Sequence, residues 1–257
     1  MSSSPRPPPG RRARAWALPW HVRDLVSRLA SAGRIAPVAP VALALALPLL
    51  SGCPPRGSSG PPQHYDDPKA MIAVFESSDR DVWQLPDRVV RALPLSSKHS
   101  TVADIGAGSG YFTRRLAAAV PEGRVFAVDV DGEFEDYLLE HREAWGTPNI
   151  QPHLAIYDDP MLPAGEIDLV FAANTYAFIR DRVGYFAKVR TALTANGRLA
   201  VLDFRPDATP PGNIAPAPEH RVSRDAALAE LQQAGFSLER EETFLPHQWF
   251  LILAPKP

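Results

Sequence analysis

The chain of 257 residues has a single cysteine, which excludes an internal disulfide framework and any zinc site built from several thiolates. It also lacks a surplus of positive charge, with 27 Lys and Arg against 29 Asp and Glu and a formal net charge of −2. That balance is uneven. Residues 1–53 hold seven Arg and one acid, Asp24, a local charge of +6 that leaves −8 for the remainder. A body that acidic has no broad basic face with which to attract nucleic acid, so small molecules are the expected partners. No Gly-Lys-Ser/Thr follows the glycine-rich stretch, no Gly-x-Ser-x-Gly elbow occurs, and no His/Asp/Glu group has metal-ligand spacing. Also missing is an apolar run of the ~20 residues that span a bilayer as a helix. The longest apolar stretch, Ile35–Leu50, is shorter and is broken by Pro37, Pro40 and Pro48.

What is present at the N-terminus has the order of an export signal: a basic segment, then an apolar one, then small residues. The run ends in Leu50-Ser51-Gly52-Cys53, which resembles the lipobox of bacterial lipoproteins. The resemblance implies that Cys53 becomes the first mature residue, carries the lipid, and holds the protein at a membrane of the cell envelope. The alternative is an unused leader and a cytoplasmic protein. After Cys53 comes PPRGSSGPP, which has too few side chains to bury and reads as a tether. The expected organisation is therefore a leader over 1–52, a tether over 53–64 and a folded domain over 65–257.

Within the domain, two helical patterns (67–76 and 79–93) precede a regular alternation. Short apolar runs at 101–105, 124–129, 149–155, 167–172 and 197–203 read as strands. Helical spacing over 111–120, 132–145 and 181–193 separates most of them, the last stopped by Asn196-Gly197. Alternation of this kind predicts a mostly parallel sheet covered on both faces. A helix capped by Ser223 and ended by Gly235 follows, then two strand-like runs, 236–244 and 248–254, with only Leu245-Pro246-His247 between them. So short a connection requires an antiparallel hairpin. The expected fold is α/β, a doubly wound Rossmann-like sheet of about seven strands, mostly parallel, with an antiparallel C-terminal hairpin strand.

The first strand runs into Asp104-Ile105-Gly106-Ala107-Gly108-Ser109-Gly110. Glycines at the carboxyl end of a first strand let backbone approach a ligand closely. The spacing is not the Gly-x-Gly-x-x-Gly of nicotinamide dinucleotide sites, and the acid Asp104 would repel a pyrophosphate while favouring an ammonium group. Asp129, 19 residues after Gly110 at the end of the second strand, is placed to accept hydrogen bonds from ribose hydroxyls. A ribose at one end and an aminoacyl group at the other describe S-adenosylmethionine.

These residues resemble the class I S-adenosylmethionine-dependent methyltransferases over about residues 79–254, and within them the branch that methylates quinones and other small molecules. The resemblance implies that Gly106, Gly108 and Gly110 surround the cofactor, that Asp104 meets its amino group and Asp129 its ribose. It also implies an adenine contact from Asp158 or Asp159. Asn174, after the fourth strand, would orient cofactor or acceptor, and Tyr176 would wall the acceptor pocket. Ala177 stands where some relatives carry His, so His220, in Pro218-Glu219-His220-Arg221, is the candidate base; its other reading is a brace for the following helix. Trp83 is placed either as a lid over the cofactor or as a core residue.

The expected activity is methyl transfer to a small molecule, with lipid-like acceptors among the candidates. The competing expectation is an exported lipoprotein that keeps the fold as a non-catalytic binding module, because S-adenosylmethionine is made in the cytoplasm and a lipobox leads away from it.

Overall fold

The computed structural model describes Tyr65 and residues 67–257. The expected leader, the tether and Cys53 lie outside the described residues. Three short helices open the domain: α1 (Pro68–Phe75), α2 (Asp79–Gln84) and α3 (Pro86–Ala92). Then follow β1 (Thr101–Ile105), α4 (Thr113–Ala119), β2 (Arg124–Asp129), α5 (Gly132–His141), β3 (Ile150–Leu154) and β4 (Ile167–Ala173). The chain finishes with α6 (Arg182–Ala192), β5 (Leu193–Phe204), α7 (Arg224–Gln233), β6 (Phe236–Glu242) and β7 (Gln248–Pro255).

The seven strands form one sheet in the order β3-β2-β1-β4-β5-β7-β6. β1, β2, β3, β4 and β5 pair in parallel, while β7 is antiparallel to both β5 and β6. This is the mostly parallel, hairpin-terminated α/β sheet expected from the sequence. Strand order reverses between β1 and β4, and in open α/β sheets the crevice at such a reversal, outside the strands' carboxyl ends, is where ligands bind.

Successive strand residues point to opposite faces, and here both faces are buried. Ala103, Val170 and Ala172 pack with Phe186 and Val189 of α6 and Leu231 of α7. Their neighbours Val102, Leu169 and Phe171 pack on the other face with Leu116 of α4 and Leu138 of α5. Ser223 caps α7 as expected, its hydroxyl accepting from the N–H of Ala226 at 3.2 Å.

Two expectations are corrected. The pattern over 79–93 is not one helix: Leu85 takes a left-handed conformation (φ 48°) and Pro86 starts α3. Proline removes an N–H and crowds the residue before it out of the helical region. Asn196-Gly197 does not stop α6 either, because the helix ends at Ala192 and β5 begins at Leu193. Gly197 instead lies inside β5, where a Cβ would come within 2.8 Å of the Ile167 carbonyl oxygen.

Phe171 in the central strand β4 is fully buried. Phe171→Ala is expected to lower the unfolding free energy by about 3–5 kcal/mol, through lost burial and an incompletely collapsed cavity. Urea titration checks this: the midpoint should fall while the slope stays unchanged.

Candidate active site

The carboxyl ends of β1, β2 and β4 converge on one cavity. Its floor is the loop that leaves β1, with Asp104, Gly106 and Gly108, and its sides include Asp129, Tyr157, Asn174 and Tyr185. Gly106 has φ 71°, and a Cβ there would lie 2.0 Å from Thr175 Oγ1. The loops after β1 and β4 therefore cross at a point that only glycine allows. Gly110 serves another purpose. It is not among the cavity-lining residues, and its missing Cβ leaves room for Leu138 of α5, which would be 2.6 Å away.

Asp129 is held by backbone. Its Oδ2 accepts from the Gly108 N–H at 2.8 Å, and its Oδ1 accepts from Val130 at 2.8 Å and Asp131 at 3.2 Å. Burial pushes its carboxyl up to about 6, against the pull of those three N–H groups. Asp104 is 2% exposed and accepts from the Thr113 hydroxyl at 2.6 Å. Burial pushes it up to about 7; the Thr113 hydrogen bond opposes the rise and the nearby Asp129 charge adds to it.

Over the cavity stands an aromatic roof. The Tyr65 ring lies 5.7 Å from Phe75, 6.3 Å from Phe134 and 6.4 Å from Phe178. Burial raises the Tyr65 phenol to about 12. Glu76, just past α1, latches this segment to the floor: it accepts from the Ser109 hydroxyl and from Arg114, each at 2.6 Å.

Asn174 lines the cavity in a left-handed conformation (φ 61°). Its Oδ1 accepts from Gln84 Nε2 at 3.3 Å and from Gln248 Nε2, and its Nδ2 is buried without a partner. The other expected residues are placed differently. Tyr176 is fully buried and turns away: its hydroxyl donates to Glu230 at 2.7 Å, and Glu230 also takes two hydrogen bonds from Arg182 at 2.6 and 2.9 Å. It braces the turn after β4 against α7 and does not wall the cavity. Asp203 braces the same turn, accepting from the N–H of Ala177 at 3.0 Å.

Asp158 is exposed and Asp159 pairs with Lys188 at 3.2 Å; neither lines the cavity, whereas Tyr157 and Ala155 beside them do. His220 sits in a short turn, 218–220, and lines no cavity described here. Trp83 is 7% exposed and packs on Phe204 at 5.7 Å and on His247 at 6.0 Å, so the roof is Tyr65 and Phe75 in its stead.

Sequence reasoning missed Tyr65, Phe75, Arg80 and Tyr185, all of which line the cavity. Arg80 and Gln84 stand one helical turn apart, the only signal that they share a face.

Two outcomes are expected. Asp104 holds its proton at a pH where the unfolded chain, with a carboxyl near ~3.9, has released it, so Asp104 makes stability fall as pH rises from about 4 to about 7. Asp104→Asn should therefore be more stable than the parent at about pH 8, by about 2–4 kcal/mol, with the difference vanishing near pH 4 in thermal melts. Tyr176→Phe removes one hydrogen bond to Glu230 and should lower stability by about 1 kcal/mol in urea titration without altering ligand affinity.

Comparison with known proteins accords with this geometry. Residues 103–199 match the family model described as "Methyltransferase domain". The malonyl-[acyl-carrier protein] O-methyltransferase of Hahella chejuensis (strain KCTC 2396) is 31% identical over 100 residues, 38% of this chain and 34% of that protein. The trans-aconitate 2-methyltransferase of Acidovorax sp. (strain JS42) is 27% identical over 197 residues, 75% of this chain and 68% of that protein. The chain thus spans about a third of the length of the first relative and two thirds of the second. Among solved structures, an S-adenosylmethionine-dependent methyltransferase from Aquifex aeolicus superposes with a TM-score of 0.67 at 23% identity, over 74% of this chain and 98% of that one. Over residues 103–199 the chain is thus similar to methyltransferase domains, and it shares the fold of the Aquifex aeolicus protein.

Proposed function

We propose that the domain transfers a methyl group from S-adenosylmethionine to an oxygen of a small carboxylic acid with an apolar body. The residues fit the cofactor. Asp104 is a buried acid with no cationic partner among the described residues, which suits an ammonium group. Asp129 uses three lone-pair directions on N–H groups and keeps capacity for a ribose hydroxyl. Gly106 and Gly108 leave backbone exposed at the floor.

The observation that carries the acceptor class is what the cavity does not offer. Its lining contains no histidine; Tyr111 is bonded to Asp81, and burial pushes the Tyr111 and Tyr185 phenols well above their ordinary values. Asp104 and Asp129 are assigned to the cofactor, so the described lining residues leave no histidine or carboxylate to act as base for the acceptor. When bound, S-adenosylmethionine supplies a methyl on positively charged sulfur; a bond forms from acceptor oxygen to that carbon while the carbon–sulfur bond breaks and its electron pair goes to sulfur. A base is required only when the nucleophile carries a proton. A carboxylate is already ionised at neutral pH and needs positioning alone. The two curated relatives, named for a malonyl group and for trans-aconitate, act on acceptors that carry carboxyl groups. Lipidation at Cys53 would hold the domain near acyl and other lipid-like acceptors.

The test uses radiolabelled S-adenosylmethionine with a panel of carboxylic acids, phenols and amines. Label should pass to carboxylic acids as base-labile methyl ester, and Asp129→Ala should weaken cofactor binding about tenfold or more in calorimetry. Label on phenols or amines alone would sink the acceptor class. Cofactor binding without transfer to any of them would favour the non-catalytic binding module instead.

A further inference from the structure

Arg80, on α2, is a charge without an ion-pair partner among the described residues. It is 7% exposed. Its Nη1 donates to the Phe75 carbonyl at 2.9 Å, its Nε donates to Gln84 Oε1 at 2.5 Å, and the guanidinium lies 3.7 Å over the Tyr111 ring. Nη2 has no hydrogen bond, and no carboxylate among the described residues stands within ion-pair distance. Of the acids around it, Glu76 is engaged with Ser109 and Arg114, Asp81 with Tyr111 and Arg115, and Asp104 with Thr113, while Asp79 is exposed. Burial lowers Arg80 to about 10, which leaves it charged at neutral pH. A buried, unneutralised cation opposes folding, and a planar fork with an open N–H matches a carboxylate.

The position of Arg80 indicates where that carboxylate comes from. Arg80 and Ile214 line both the cavity over the glycine loop and a second cavity. The second one lies between Ala73 and Val74 of α1, Trp83 of α2 and the loop 211–214. Arg80 therefore borders both spaces, the first of which is assigned to the cofactor.

We propose that Arg80 receives a carboxylate of the methyl acceptor, whose apolar body occupies the second cavity beside Trp83 and Ile214. This rests on the carboxylic-acid reading above. The cofactor's own methionine carboxylate has the same chemistry, so the test must separate the two sources.

The experiment is calorimetry on the full chain saturated with S-adenosylhomocysteine, titrating octanoate and its methyl ester. The acid should bind saturably and the ester should not. Arg80→Gln should weaken the acid by about ten- to a hundredfold, as expected for a lost charged hydrogen bond, and Arg80→Lys should recover part of it. Binding of S-adenosylhomocysteine and of methylthioadenosine, which lacks the carboxylate, should change less than about twofold in Arg80→Gln. Loss of S-adenosylhomocysteine affinity with methylthioadenosine unaffected would assign the carboxylate to the cofactor and overturn the proposal. Acid binding that ignores the substitution would overturn it too. Should Arg80→Gln fail to fold, the wild-type comparison decides: acid and ester binding alike refutes a carboxylate receptor, and discrimination that Arg80→Lys reduces supports it. Arg80-dependent binding of the acid, with no carboxylic acid ever methylated, would uphold this site while refuting the reaction proposed above.

Discussion

A carboxylate taken out of water must find donors, and Asp129 finds them in three backbone N–H groups. One of these, from Gly108, belongs to the loop after β1, so the hydrogen bond ties that loop to the end of β2. The same loop is fastened again where the Gly106 and Ala107 N–H groups reach the Val128 carbonyl at 2.8 and 3.1 Å. On its other side the missing Cβ of Gly106 admits Thr175, so the loop after β4 crosses there. Three strand ends at the reversal of strand order are thus locked by backbone contacts. The cavity is the space those locks leave.

The remaining walls come from outside the alternating part of the fold. Glu76 and Asp81 bind Ser109, Tyr111, Arg114 and Arg115, and by these contacts the N-terminal helices are clamped onto the glycine loop and α4. A chain of amides then runs beside the cavity. Arginine has only donors, so Gln84 must present its oxygen to Arg80 and its NH2 to Asn174. Asn174 must in turn present its oxygen, which also receives Gln248 at the start of β7. The polarity of the Asn174 amide is therefore set by a charge on α2 and carried through one glutamine. A residue changed at Arg80 alters what Asn174 offers as well as what Arg80 binds.

The parts of this structure legible in the sequence are those where local pattern and tertiary position agree. β1 and β2 were readable to the residue, because a strand buried on both faces is an apolar run and each is closed by a turn. Asp104 and Asp129 were readable for the same reason, as acids fixed at the ends of such runs. Where a distant contact decides, the pattern misleads. Asn196-Gly197 looks like a helix stop, yet Gly197 answers to the Ile167 carbonyl on a neighbouring strand. Tyr176 follows the fourth strand where ligands bind, but Glu230, 54 residues on, draws its hydroxyl into the core. Arg80 was invisible as a site residue because a charged side chain in a short polar helix ordinarily faces water. Only the packing of Tyr111 and Gln84 around it reverses that expectation.

The charges in the cavity work against the unliganded fold. Asp104 and Asp129 are both held above their ordinary values by burial, and Arg80 is held below its own, so each would be more comfortable in water. No ion pair among the described residues joins the acids to the arginine, which would have been the simplest relief. A fold tolerates such groups only if the penalty is offset elsewhere, here by the two apolar layers that Phe171 and Val170 enter from opposite faces of β4. Keeping the acids and the arginine apart leaves the acids open to a cationic partner and the arginine open to an anionic one. Pairing them internally would stabilise the empty protein and remove both kinds of recognition at once.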